Sequence, residues 1–559
     1  MLKNKKHLTK IEKDFGVKLV FYRTLYSQSA ASLTMGSIAA CLRKEGVDVE
    51  LCLLKRNLFQ RNELNSGKEL LKDYEKYKVA IVKPNFKDYM EIFPLLERCK
   101  AEGIFKRAFL CGPFASLNAV NLIKRNSWVD GIILNYPEET VVDLVKSLSN
   151  DLLSWNYNCK GGIWRNPKTK QLHINKARQM SNLDNLPFPA RDVEKKEKVA
   201  YINLEASRGC NFCCSYCHVP LYHGFCQVKK RITKSPKKVV DEIEKINHTL
   251  GKTFFIFNDS NFWVGKEDDK RINAICDEII KRRLNISFYI YLRCNPFPSE
   301  KLIKKLSEAG LVRVFLGVEN KSKLSLKLYN KKINLNNFEK AKKILIKYNI
   351  NIHIGYIVFN PYSTLEDIEI NIEYLNKINK LFRIGVVLEQ IRVIPNTKIH
   401  NKLINDGLIS KSLNYDEITY GYKYLNKNVA NLYEGIKLMF VSNLNCLGYD
   451  VEYYCVSGQL LQSLTMKLNP KNNLQEKFDD FNSVCLKAKK IMYIYLMKAI
   501  SMAREGCKPS QIGSMKKHKG FVKDYKNVAY ELQAAWGNII EYVKKIDKNI
   551  DKQIFEGVE

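Results

Sequence analysis

Apolar and polar positions change period several times along this chain. From Lys198 to about Ile404, runs dense in β-branched and aromatic residues alternate with segments whose apolar positions recur every three or four residues. The runs read YINLEAS, TFFIFND, ISFYIYLR, VRVFLGVE, INIHIGYIVF and IGVVLEQIRVI. Several are continuously apolar, the pattern of strands covered on both faces. The intervening segments read as helices. SPKKVVDEIEKI places Ser235 as N-cap, Pro236 in the first turn, and Val239, Ile243 and Ile246 on one face. Gly310 closes another helix as its C′ residue. Strand–helix alternation at this period predicts right-handed βαβ units on a parallel sheet. Six units predict an open, partial (β/α)6 TIM-type barrel rather than the closed eight-fold one.

A similar rhythm precedes it. Between about Val17 and Asn150 the strand candidates are VKLVFYRTL, VDVELCLL, YKVAIVKP, RAFLCGP and DGIILNYPEET. The helix SLTMGSIAACLRKEG ends at Gly46. This predicts a doubly wound, Rossmann-like sheet, yet no G-x-G-x-x-G follows a strand, which removes the dinucleotide fingerprint. After PNTKIHNKLINDGLI the period is helical to the end, as in KIMYIYLMKAISMAREG. The expected organisation is α/β: residues 1–155 Rossmann-like, 156–195 a linker, 196–405 the partial barrel and 406–559 a helical region.

Composition narrows the compartment more than the activity. The 559 residues are 45% hydrophobic and 27% charged, normal for a soluble protein, and no apolar run of membrane-spanning length occurs. The N-terminus MLKNKKHLTKIEKDFG has no apolar stretch behind it and does not read as a signal peptide. Sixteen cysteines then suit a reducing, cytoplasmic setting, where they serve as metal ligands or packed thiols. The net charge of +34 invites a nucleic-acid reading. The lysines, however, are spread along the whole chain at helical spacing, as in EKAKKILIK, and describe a solvated face. Nucleic acid is therefore disfavoured as a partner.

Chemistry concentrates in SRGCNFCCSYCHVP. Cys210, Cys214 and Cys217 are spaced C-x3-C-x2-C, with Cys213 outside the pattern and read as a packed thiol. A four-thiolate zinc site needs a second pair, and none follows. Three thiolates on one loop suit a [4Fe–4S] cluster with one iron left open. The loop starts directly after the first barrel strand, at the C-terminal strand ends where such folds place their sites. Asn258, Asp259 and Asn261 end the second strand, Arg293 the third and Glu319 the fourth. Any one of them could cap a helix or solvate a loop; at one end of successive strands they favour a site.

The motif and its flanks resemble the radical S-adenosylmethionine enzymes. The resemblance implies that the open iron chelates S-adenosylmethionine, whose reductive cleavage yields a 5′-deoxyadenosyl radical. It implies that Glu319, in FLGVEN, and Lys331, in LYNKKIN, line the cofactor site, where their strand-end positions also place Asn258, Asp259 and Arg293 as expected cofactor contacts. Pro361, in FNPYST, stands where the family carries a glycine- and proline-bearing turn, and the form differs. The N-terminal unit is similar to the cobalamin-binding domain fused to many of these enzymes. FLCGPFASLNA around Gly112, WVDGIILNYPEET around Asp130 and Glu138, and the linker LDNLPFPARD carry that likeness, with Gly112 and Glu138 as implied cobalamin contacts. The Asp-x-His-x-x-Gly motif is missing, so cobalamin is expected without a histidine ligand and with its lower face against apolar or weakly polar residues.

These resemblances imply a cobalamin-dependent radical S-adenosylmethionine methyltransferase. It would methylate an unactivated carbon, or phosphorus, of a small natural-product substrate, as in antibiotic biosynthesis, drawing electrons from a flavodoxin or ferredoxin. The FNPYST turn resembles phosphinate P-methyltransferases. Three alternatives stay open: a non-methylating rearrangement or oxidation, a tRNA methylthiotransferase, and a non-enzymatic cluster or RNA-binding protein. Cys41, Cys52, Cys99, Cys111 and Cys159 are too dispersed for the second cluster that a methylthiotransferase expects. Cys446, Cys455, Cys485 and Cys507 are read as packed thiols.

Overall fold

The computed structural model describes residues 15–23, 31–55, 75–84, 89–152, 157–178, 182–197, 199, 201–224, 231–333, 335–414, 419–468 and 475–546. Two sheets organise it. The first contains β1 (Gly16–Arg23), β2 (Asp48–Lys55), β3 (Tyr77–Lys83), β4 (Arg107–Leu110), β5 (Gly131–Ile133), β6 (Gly162–Arg165) and β7 (Leu172–Ile174). Their order is β2-β1-β3-β4-β5-β6-β7, with β1 to β5 parallel and β6 and β7 antiparallel. Alternate side chains feed two cores: Val20, Ala80 and Val82 face one layer, Leu19, Val79 and Ile81 the other. A parallel sheet covered on both faces has this signature, which explains the continuous apolar runs. The sheet runs past residue 155, because β6 and β7 lie within the segment expected to be linker.

The later part of that segment packs as a strap. Ala190 N–H donates to the Gly36 carbonyl at 2.9 Å, and Arg43 pairs with Asp192 at 2.8 Å. Both contacts hold the strap against the helix Ala31–Lys44.

The second sheet has β8 (Ile202–Leu204), a short β9 (Ser207–Gly209) paired with β10 (Arg231–Thr233) beside it, then β11 (Phe254–Phe257), β12 (Ser287–Arg293), β13 (Leu311–Glu319) and β14 (Asn351–Tyr356). Its order, β14-β13-β12-β11-β8, is all parallel, so successive strands are neighbours, as in an open barrel. The expected helix caps form. Ser235 Oγ accepts from Lys238 N–H at 3.3 Å, a cap worth ~1 kcal/mol, and Gly310 takes φ 123° at the end of Glu300–Ala309.

The sixth expected strand does not form. IGVVLEQIRVI contributes a helical turn, Ile384–Val387, and one parallel bridge, Phe359 to Gln390. Glu452, from the helix Leu447–Leu468, explains the change: its carboxylate accepts from Gly385 N–H at 2.6 Å and from Arg383 Nε at 2.9 Å. A carboxylate on the amides of a first turn favours helix over strand.

The C-terminal part is helical apart from a hairpin of β15 (Ile409–Asn414) and β16 (Thr419–Tyr422). Its helices Lys427–Lys437, Gln475–Arg504 and Lys519–Ile546 share one continuous core with the barrel. Cys455 and Cys485 are packed in that core; Cys446, in the turn before Leu447 at φ 63°, is exposed. No helix among the described residues is long and apolar enough to cross a membrane.

Candidate functional site

The cysteine loop leaves β9 at the C-terminal edge of the second sheet, where the sequence places it. Its backbone is anchored from behind. Ser215 N–H donates to the Tyr329 carbonyl at 2.9 Å, Ser215 Oγ to the Leu328 carbonyl at 2.6 Å, and Asn330 Nδ2 to the Cys213 carbonyl at 2.8 Å. Cys210, Cys214 and Cys217 are partly buried, whereas Cys213 is exposed. The packed position expected for Cys213 is not observed: its neighbour Cys214 takes the contact with Arg293, and Cys213 faces solvent.

The trio shares one electrostatic environment. Burial raises the Cys210 thiol, and it raises Cys217 to about 12; Cys214 adds to both shifts and Lys331 opposes them. Cationic neighbours favour thiolates, as does ligation to iron. Among the described residues no three His, Cys, Asp or Glu side chains converge on a single metal ion. A cluster does not need that convergence, because each thiolate binds a different iron.

Two of the predicted strand-end residues, Arg293 and Glu319, reach the loop. Arg293 Nη1 donates to Cys214 Sγ at 3.4 Å, and its guanidinium lies 3.9 Å from the Phe212 ring centroid. Glu319 ends β13 in the left-handed region, at φ 69°, and its carboxylate accepts from Lys331 Nζ at 2.5 Å. Strained backbone of this kind persists where the surroundings over-determine it. Gly317 makes room for the pair: a Cβ there would lie 2.7 Å from Glu319 Oε1 and 2.8 Å from Lys331 Nζ. Glu319 also contributes, after burial, to raising Tyr216 well above its ordinary value.

Asp259 does structural work at the same edge. It is 1% exposed and accepts from Ala206 N–H at 2.9 Å and from Ser207 Oγ. Burial pushes its carboxyl up to about 6 against those hydrogen bonds. Asn258 Nδ2 and both polar atoms of Asn261 are buried without partners among the described residues. Orphaned amides of this kind fit a site that takes a polar ligand. Asn360, before Pro361, ties its turn down through Nδ2 bonds to Ser325 Oγ and Tyr329 Oη at 3.0 and 3.2 Å.

The first sheet presents its own C-terminal edge to this loop. Glu138, fully buried at the start of the helix Pro137–Asn150, accepts from Arg208 Nη2 at 2.7 Å and from Ser37 Oγ at 2.9 Å. Arg208 lies two residues before Cys210 and also bonds Glu205 at 2.8 Å. Tyr222 Oη, from the helix that follows the cysteine loop, donates to the Asn135 carbonyl. Gly112 sits at the same edge, just after β4, with φ 90°. Asp130 lies at the other edge, bonded to Lys100 at 2.6 Å and Ala108 N–H at 2.8 Å. A cavity of about 330 Å³ beside it, lined by Lys100, Arg107 and Arg165, is remote from the cysteine loop.

Sequence reasoning missed Arg208, Ser207, Tyr216 and Tyr222. Their closeness to the motif was the one available signal; their partners are 70, 52, 103 and 87 positions away.

A three-cysteine loop lies on the strand ends of an open parallel barrel, facing a doubly wound sheet. Residues 204–375 match the model of the Radical SAM superfamily, and the chain carries that domain. It is 27% identical over 321 residues to the anaerobic magnesium-protoporphyrin IX monomethyl ester cyclase of Rubrivivax gelatinosus, covering 54% of this chain and 56% of that protein. It is 28% identical over 253 residues to the bacteriochlorophyllide d C-8(2)-methyltransferase of Chlorobaculum tepidum, covering 41% and 53%. The matched region thus spans about half the length of each relative. The fold is shared with the solved structure of the cobalamin-dependent S-adenosylmethionine radical enzyme OxsB with aqua-cobalamin bound. The TM-score is 0.66 at 18% identity, covering 94% of this chain and 85% of that one.

Proposed function

We propose that this chain is a cobalamin-dependent radical S-adenosylmethionine methyltransferase acting on a small-molecule, natural-product substrate at an unactivated carbon or at phosphorus. One observation carries the reading: the C-terminal edges of the two sheets meet at the Arg208–Glu138 pair, two residues from Cys210. Cofactors held on the two edges would face each other across that contact. The relatives and the shared fold support the same assignment.

When bound, a [4Fe–4S] cluster with S-adenosylmethionine supplies a carbon radical, and a corrinoid supplies a methyl group. The chain's own residues do the rest. Cys210, Cys214 and Cys217 would hold the cluster, and Arg293 donates to Cys214 Sγ beside it. Glu319, held by Lys331, would present its carboxylate to the amino group of S-adenosylmethionine, and Asn258 and Asn261, whose amides lack partners among the described residues, would offer further polar contacts. Glu138 and Arg208 fix the distance between the two edges. The C-terminal helices cover one side of the barrel and keep water out. Electrons would come from a ferredoxin or flavodoxin, and the reading places the enzyme in the reducing cytoplasm.

The test is anaerobic reconstitution with iron, sulfide and hydroxocobalamin, followed by reduction with S-adenosylmethionine and substrate candidates. Retained corrinoid absorption with both 5′-deoxyadenosine and S-adenosylhomocysteine supports methyl transfer. Serine at Cys210, Cys214 or Cys217 should abolish deoxyadenosine, and serine at Cys213 should not. Turnover surviving loss of the trio overturns the reading. A second reading has a specific basis, since one relative is named a cyclase: a non-methylating oxidation would form deoxyadenosine without S-adenosylhomocysteine.

A further inference from the structure

We propose that Lys83 is a ligand-contact residue of the first sheet, pairing its ammonium with the anionic phosphodiester of a bound corrinoid; this rests on the cobalamin reading above. Lys83 is the last residue of β3 and is 8% exposed. The strand order β2-β1-β3-β4-β5 reverses direction between β1 and β3. In open α/β sheets the ligand crevice lies at the C-terminal strand ends at that reversal. Lys83 therefore stands at the edge where the topology puts a ligand, and this edge also carries Gly112 and Glu138.

Its surroundings do not satisfy it. Among the described residues no carboxylate, carbonyl or hydroxyl bonds to Lys83 Nζ. The one titratable group felt by its charge is the Cys111 thiol, and burial draws the ammonium down to about 8. Gly112 accommodates the lysine stem: a Cβ there would lie 3.1 Å from Lys83 Cγ and 3.2 Å from Cε. The expected Gly112 contact thus acts through Lys83.

A buried ammonium without a counter-ion opposes folding, and an arriving anion offsets that cost. On cobalamin the phosphodiester of the nucleotide loop is the substituent with a formal negative charge; cobinamide lacks it. Pairing with a phosphate oxygen is the charge-assisted bond that a lysine makes as a point charge.

The experiment titrates full-length, cluster-reconstituted protein with hydroxocobalamin and with diaquocobinamide, following visible absorption. Wild type should bind cobalamin more tightly than cobinamide. Lys83→Met should weaken cobalamin about 10- to 100-fold and leave cobinamide unchanged, and Lys83→Arg should retain most of the preference. The thermal midpoint of the K83M apoprotein should be no lower than wild type. Equal weakening of both corrinoids, no weakening of either, or a lower apoprotein midpoint in K83M overturns the assignment. So does a nitrogen-coordinated cobalt(II) spectrum that K83M removes, since the amine would then be a cobalt ligand. Wild type that binds neither corrinoid refutes the cobalamin reading itself, and the inference with it.

Discussion

The Glu138 carboxylate takes two hydrogen bonds from the Arg208 guanidinium, at 2.7 and 3.2 Å, across 70 positions of sequence. One partner begins a helix of the first sheet, and the other lies beside the cysteine loop of the second. Ser37 and Glu205 complete the network, and Arg208 lies 5.3 Å from the Tyr136 ring centroid. The pair is a buried bolt between two domains.

Removing one partner leaves a buried charge. Arg208→Met or Glu138→Ala should each cost ~3–5 kcal/mol in urea unfolding. The double variant should cost clearly less than the sum, the signature of a direct pair. Although burial pushes the Glu138 carboxyl up, Arg208 holds it below the usual range. The stability it contributes is therefore fully present above the ordinary glutamate value of ~4.3 and lost as pH falls through the lower folded value. A pair whose removal shows additive, sub-kilocalorie effects would contradict this role.

Asp259 has the opposite sign. Burial raises its carboxyl to about 6 in the fold. Its favourable contribution is present at acid pH and is lost as pH rises through the folded value. Asp259→Asn should therefore gain on wild type by ~1–2 kcal/mol between about pH 5 and about pH 7.5, read as paired urea midpoints. A difference independent of pH would show that the carboxyl ionises normally.

Arg293 touches the Cys214 sulfur with a positive charge. With the cluster in place, Arg293→Met should keep iron content and lower the reduction potential on the order of 60 mV, the one-electron equivalent of about 1.4 kcal/mol. Potentiometric titration followed by electron paramagnetic resonance measures it. Loss of iron with no shift in the remaining cluster would make Arg293 a scaffold residue only.

Gly317 is the space that lets Glu319 meet Lys331. Gly317→Ala should leave the far-ultraviolet circular dichroism unchanged. It should weaken S-adenosylmethionine binding about 10-fold or more, since it displaces a charge-assisted pair at the site. Unchanged affinity would remove Glu319 and Lys331 from the cofactor site.

Periodicity and spacing are legible in the chain because they are local. Continuous apolar runs mark strands covered on both faces, and the second core around Leu19 and Ile81 shows why VKLVFYRTL and YKVAIVKP are apolar throughout. The C-x3-C-x2-C spacing and the caps at Ser235 and Gly310 are read within a few residues. IGVVLEQIRVI has the pattern of a strand by the same local rule and is overruled by Glu452, which arrives from 67 positions away to hold Gly385.

The chain alone thus determined two α/β units, their order and a loop of thiolates at a strand end. Tertiary packing decided how those units are bolted, through Arg208 and Glu138, and left the buried Lys83 ammonium without an anion among the described residues. The reason is that ion pairing and desolvation depend on which distant segments share a boundary. A hydrophobic period specifies that a face is buried and does not say against what.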